Sequence, residues 1–255
     1  MNLDQRIAQA AERLTPQLVA LRKQLHQHPE LAFEEHETAR AVGEFLKKLG
    51  IPFRSGVGKT GIVAVLEGSG PGRTIGIRAD MDALPIHEET GLAFASKIPG
   101  KMHACGHDVH TVIALGVAAA LMEVKDSLKG RIKFIFQPAE ETLSGAAAMI
   151  AEGALDDPKM DAILGYHNWP QVKAGTVGYH PEAVMASADS FDLTLKGRIG
   201  HGAHPHLAVD AVAAGAYFVT QLQTVVSREV APLSPAVVTV GEFHSGTARN
   251  IIAAT

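Results

Sequence analysis

Apolar and polar positions alternate along this chain in two periods, and the switches between them outline its elements. Residues 3–28 and 35–49 carry apolar residues at helical spacing, with Thr15 and Pro16 predicting a restart inside the first and Gly50 and Pro52 closing the second. Strand signals follow at 61–68 and 73–82, split by the turn sequence GSGPG. A helix is expected over 109–124, a strand over 130–141 and a helix rich in small residues over 144–155. Two more strands are expected at 161–169 and 174–180. Strands alternating with helices predict an α/β fold, with a mostly parallel sheet covered by helices on both faces. The pattern changes near Met185. Residues 187–200 alternate like a half-buried antiparallel strand, 206–227 read as a helix, and 236–246 as another strand. This predicts a first domain over 1–185 and the opening of a smaller α+β domain over 186–255, with PEAVMASAD (181–189) at the hinge. The sequence ends at NIIAAT, in what reads as mid-strand, so a truncated chain is expected.

Composition narrows the class. The 255 residues are 46% hydrophobic and 20% charged, an ordinary globular balance. A net charge of −4 without any basic run argues against nucleic acid as a partner. The amphipathic, mixed-charge N-terminus lacks a signal-peptide core, and no apolar run is long enough to span a membrane. One cysteine excludes an internal disulfide framework, so a cytoplasmic protein is expected. Thirteen histidines are many for this length; His26, His28 and His36 read as surface scatter.

Four stretches place reactive side chains at expected strand or helix ends. In RADMDALP, Asp80 and Asp82 are two apart, which puts both carboxylates on one side of an extended chain; a solvated strand end is the plain alternative. In MHACGHDVH, Cys105 and His107 flank Gly106, and a thiolate beside an imidazole suits a borderline-soft divalent ion. A buried structural cysteine is the alternative there. In FQPAEE, Glu140 and Glu141 are adjacent and so point to opposite sides of an extended chain. One could bind metal while the other moves protons, although acidic residues also simply favour helix N-termini. In GYHNWP, His167 ends an apolar strand, where a lone histidine is more often just hydrogen-bonded.

Their agreement is more informative than any one of them. Sheet topology can bring successive strand ends to one edge, so that Cys105, His107, a glutamate and His167 converge as S, N, O and N donors with a spare carboxylate. The rival is a Cys105 thiol nucleophile with an imidazole base, which has no use for matching glutamates and His167.

These motifs, together with GRIGHGAHPH and in this order, resemble the metallopeptidase family of aminoacylases, hippurate hydrolases, auxin-conjugate amidohydrolases and N-acetyl-diaminopimelate deacetylases. The resemblance runs from about Leu21 to the C-terminus. It implies a zinc-peptidase-like catalytic domain with an inserted satellite domain that often forms a homodimer. It implies Cys105, His107, Glu141 and His167 as ligands of one or two divalent ions (manganese, zinc, nickel or cobalt), with Cys105 bridging. It further implies Glu140 as general base and Asp82 as the carboxylate that orients a ligand. His201 would be the satellite histidine that steadies the oxyanion in a neighbouring subunit, and Asn250 would hold the substrate carboxylate. The implied reaction is hydrolysis of N-acyl amino acids; the alternative is an inactive metal- or ligand-binding fragment. Two departures stand out. Ala253 and Ala254 replace the family's proline and acidic residue, and the family continues well past Thr255 with a further histidine ligand.

Overall fold

A computed structural model describes residues 1–181 and 184–255, so the expected hinge at 181–189 lies partly outside the described residues. The chain forms two compact units, Met1–Val177 and Gly178–Thr255.

The first unit opens with helix α1, Leu3–Gln27, started by a capping box in which Asn2 and Gln5 exchange hydrogen bonds. The expected restart at Pro16 does not occur. The helix runs through, with the Thr15 hydroxyl bonded back to the Ala11 carbonyl at 2.8 Å. Leu14, Leu18 and Leu21 pack on the core from both sides of the proline, and that packing outweighs one missing backbone bond. Helix α2, His36–Leu49, lacks a side-chain cap from its own N-cap residue, Glu35. The Glu30 carboxylate serves instead, accepting from the N–H groups of Glu37 and Thr38 at 3.0 and 2.8 Å. Glu35 is thereby left to point inward.

Five strands form one mixed sheet: β1 Phe53–Val57, β2 Gly61–Glu67, β3 Thr74–Asp80, β4 Arg131–Gln137 and β5 Ala162–Gly165, in the order β1-β2-β4-β3-β5. The β1–β2 and β2–β4 pairs are antiparallel; β3 runs parallel to both β4 and β5. Alternation divides each central strand between two faces. Ile62, Ala64 and Leu66 of β2 and Phe134 and Phe136 of β4 join the main core beneath α2 and helix α3, His107–Glu123. Val63 and Ile135 face the other way, onto Met149 of helix α4, Gly145–Ala151. Phe134 and Phe136 are both fully buried, and truncating either to alanine would cost about 3–5 kcal/mol.

The strands stop short of their predicted ends. Pro138 has no N–H for the ladder, so β4 ends at Gln137. Asp80 pairs with Gln137 in register, and Arg78 with Gly165. Because β3, β4 and β5 run the same way, the segments after them leave from one edge of the sheet.

In the second unit β6, Gly200–His201, pairs antiparallel with β7, Ile251–Ile252, beside helix α5, Ala211–Thr224, which is N-capped by Asp210. The predicted strands at 174–180 and 236–246 do not form, and of 187–200 only its end joins a ladder. Alternation marks a chain able to bury one face, but a strand also needs a partner edge. Among the described residues no helix is long and apolar enough to cross a membrane.

Candidate metal centre

The three parallel strand ends and the start of α3 build one cluster. Gly106 is the N-cap of α3 and adopts φ +89°, a left-handed conformation that turns the chain sharply between Cys105 and His107. A Cβ at this position would lie 2.5 Å from the Asn168 side chain, so any other residue would displace that side chain as well as strain the backbone. The result brings Cys105 Sγ to 3.3 Å from His167 Nε2. His107, the first residue of α3, is fully buried and sends Nε2 toward both glutamates, 3.7 Å from Glu140 and 3.8 Å from Glu141.

The adjacent glutamates therefore converge, contrary to the expectation that they point apart. That expectation assumed an extended chain, but β4 has ended and both residues sit in a turn. Ala139 enters this turn at φ +48°, a conformation that costs a non-glycine residue about 1–2 kcal/mol. Gly145 closes it; a Cβ there would overlap the Pro138 carbonyl oxygen.

Asp82 ties the pieces together. One carboxylate oxygen is 3.2 Å from His107 Nδ1 and the other accepts from the Glu141 N–H at 3.0 Å. With Nδ1–H donating to Asp82, Nε2 presents its lone pair to the cluster. Yet His107 Nε2 and Glu141 Oε1 are both buried without a hydrogen-bond partner. A lone pair facing carboxylate oxygens is costly to bury unless something positive lies between them. Among the described residues, three donor sets have their ligand atoms within 4.8 Å of one another: Cys105, His107 and His167; His107, Glu140 and Glu141; and Asp80, His107 and His110. The donor chemistry and the two orphaned atoms fit a divalent cation.

Burial, with Glu141, Glu140 and Asp80 nearby, pushes the Cys105 thiol up to about 12. A nucleophilic thiol is activated by the opposite shift, so these surroundings do not favour the thiol–imidazole alternative. Burial also raises the Glu141 carboxyl, and Glu140 adds to this against the pull of His107. Burial opposes charge on His107, but the bond to Asp82 and the surrounding carboxylates outweigh it and raise its pKa.

Residues 76–241 match the model of peptidase family M20/M25/M40. The chain belongs to this family. Among M20 relatives it is 46% identical to an N-acetyl-L-cysteine deacetylase of Bacillus subtilis, over 94% of this chain and 57% of the relative. It is 44% identical to an N-acyl-L-amino acid amidohydrolase of Geobacillus stearothermophilus, over 96% of this chain and 66% of the relative. A solved Bacillus subtilis structure, described as a dinuclear metal-binding peptidase of the M20 family, superposes with a TM-score of 0.69 at 35% identity, covering 95% of this chain and 62% of that one. The chain thus spans less than two thirds of the length of these relatives.

Within this M20 chain, the two remaining expected residues sit together in the second unit. His201 lies across from Ile251 in the β6–β7 pair, and Gly202 N–H donates to the Asn250 carbonyl at 2.8 Å.

Several contributors escaped the sequence reading. His110 donates from Nδ1 to Asp80 at 2.6 Å and accepts the Asn168 N–H at 3.0 Å, fixing the backbone beside His167. Its spacing of three from His107 on one helix face was the available signal. His26 is buried, not scattered on the surface. It meets Asp108 at 2.9 Å and Glu88 at 3.2 Å, while Arg22 Nε pairs with Asp108 at 2.7 Å. Its place beside Leu25, on the stripe of Leu14, Leu18 and Leu21, pointed inward. His28 and His36 are exposed, as expected.

Proposed function

We propose that this chain carries catalytic machinery of a metal-dependent amidohydrolase that splits the amide bond of N-acyl amino acids. The supporting observation is the pair of buried, unpartnered atoms His107 Nε2 and Glu141 Oε1, beside the close Cys105 and His167. Cys105, His107, Glu141 and His167 would hold one or two divalent ions. Sulfur and imidazole favour zinc, the carboxylate suits manganese, and nickel or cobalt fit the same donors. A bound ion would acidify a water and polarise the substrate carbonyl.

Glu140 is the general base. Its side chain is about a third exposed (34%), so it borders both the buried donors and solvent. It takes a proton as water adds to the amide carbonyl and returns it to the departing nitrogen. The C–N bond breaks, leaving a carboxylate and a free amino acid. Asp82 holds His107 and the Glu141 backbone in place. His201 of a partner chain donates to the oxyanion, and Asn250 binds the substrate carboxylate. Homodimerisation through the second unit and a cytoplasmic setting belong to the same reading; a lone reduced thiol suits that compartment.

Glu140→Ala tests the assignment. With metal bound, it should lower hydrolysis of N-acetyl amino acids by about 10²–10⁴-fold while leaving metal stoichiometry unchanged. Hydrolysis at the parent rate would remove Glu140 as the base. A parent chain that binds metal without turnover would leave the metal centre standing and remove the amidohydrolase activity of this chain.

A further inference from the structure

Glu35 is a fully buried acidic residue with no part in the reaction described above. It sits at the N-cap of α2 but does not cap it. Instead three donors converge on its carboxylate. The N–H groups of Ala139 and Phe33 reach Oε1 at 2.8 and 3.0 Å, and the Thr60 hydroxyl donates to Oε2. An ionised carboxylate only accepts, which suits three donors. Two of those donors belong to residues with left-handed backbones, Phe33 at φ +63° and Ala139 at φ +48°.

Ala139 is the hinge of the glutamate turn. Its N–H is held by Glu35, and its carbonyl accepts from Gly145 N–H at 3.1 Å. The next fixed point is the Glu141 N–H on Asp82. Glu140 is therefore held between two buried carboxylates, Glu35 at the Ala139 N–H and Asp82 at the peptide that joins Glu140 to Glu141. Without an acceptor at Oε1, the Ala139 N–H would be buried and unpaired, and its strained backbone would relax toward an ordinary conformation.

We propose that Glu35 is a positioning residue: its buried carboxylate clasps Ala139 in the left-handed conformation that aims Glu140 and Glu141 at His107. This rests on the reading of Glu141 as a metal ligand. The clasp acts across 104 residues of sequence and ties the α2 N-terminus to the turn after β4.

The test compares Co²⁺ binding, followed by titration and by the visible spectrum of the bound ion, with hydrogen exchange of the 137–143 segment in the metal-free chain. Glu35→Ala should weaken Co²⁺ binding about 10–100-fold and alter the spectrum. It should also speed exchange of that segment. Glu35→Gln keeps an acceptor for both N–H groups and can donate to the Thr60 oxygen, so it should bind within a few-fold of the parent. Ala139→Gly tolerates positive φ without a clasp, so adding it to Glu35→Ala should recover part of the lost affinity. Parent-like affinity, spectrum and exchange in Glu35→Ala would overturn the proposal. If that variant does not fold, Glu35→Asp replaces it: the shorter side chain should bind Co²⁺ more weakly than Glu35→Gln, and equal binding overturns the proposal. If the parent itself takes up no Co²⁺, the metal reading fails, and the clasp stands or falls on exchange alone.

Discussion

The sulfur of Cys105 lies 3.3 Å from Nε2 of His167, although 62 residues separate them in sequence. The contact joins the loop before α3 to the loop after β5, so the segments that follow two parallel strands, β3 and β5, meet at one point. Burial pushes the Cys105 thiol up, and the carboxylates of Glu141, Glu140 and Asp80 add to it. A divalent cation reverses the balance, because it stabilises the thiolate directly and neutralises the glutamates beside it.

Co²⁺ added to the parent should produce a sulfur-to-metal charge-transfer absorption in the near ultraviolet. Cys105→Ser should abolish it and weaken binding, while alkylation of the parent thiol should be slowed by prior metal loading. Unchanged absorption in Cys105→Ser would place the sulfur outside the coordination sphere.

Asp82→Asn keeps the shape of the side chain but not its function. The carboxylate accepts from both His107 and the Glu141 N–H. An amide must turn its NH₂ toward one of them. If that NH₂ faces Glu141, two donors meet. If it faces His107, the imidazole must take the tautomer with its proton on Nε2, which cannot ligate. Metal affinity should fall about 10–100-fold, read by calorimetric titration. Imidazole ¹⁵N shifts of His107 would report the tautomer change.

Gly106→Ala should destabilise the start of α3. Its φ of +89° is unfavourable for alanine, and the new methyl group meets the Asn168 side chain. A stability loss of about 1–3 kcal/mol is expected, measured as a shift in urea midpoint. Because Asn168 follows His167, the near-ultraviolet cobalt band should weaken in the same variant. A variant with parent-like stability and cobalt spectrum would show that the close approach is not needed.

The candidate donors are legible in the sequence because the chemistry concentrates unusual residue types: the single cysteine, paired acids and histidines at expected strand ends. Their supports are not. Glu35 reaches Ala139 over 104 residues and His26 reaches Asp108 over 82, and no local periodicity encodes such meetings. An extended chain through Glu140 and Glu141 would point them to opposite sides, but the missing N–H of Pro138 ends the ladder before them. The second unit has less strand than its alternation predicts. Residues 187–200 and 236–246 alternate well, but alternation carries no information about whether a neighbouring edge exists.

The His26 cluster makes stability depend on pH in a defined direction. Its two ring nitrogens face two carboxylates, Asp108 and Glu88, so only the imidazolium can donate to both. The hydrogen bond to Asp108 raises the pKa of His26; burial opposes it, the Asp108 charge and the Glu88 bond add to it, and nearby Arg22 subtracts. A histidine whose folded pKa lies above its unfolded value of about 6.5 contributes fully below that value. The contribution disappears as pH rises through the folded pKa. His26→Gln should therefore cost on the order of 3 kcal/mol at about pH 6, where it breaks a buried ion pair. The difference from the parent should narrow toward about pH 9, measured by urea unfolding of both proteins across that range. A gap that widens with pH would mean that His26 is buried neutral, with Arg22 alone balancing Asp108.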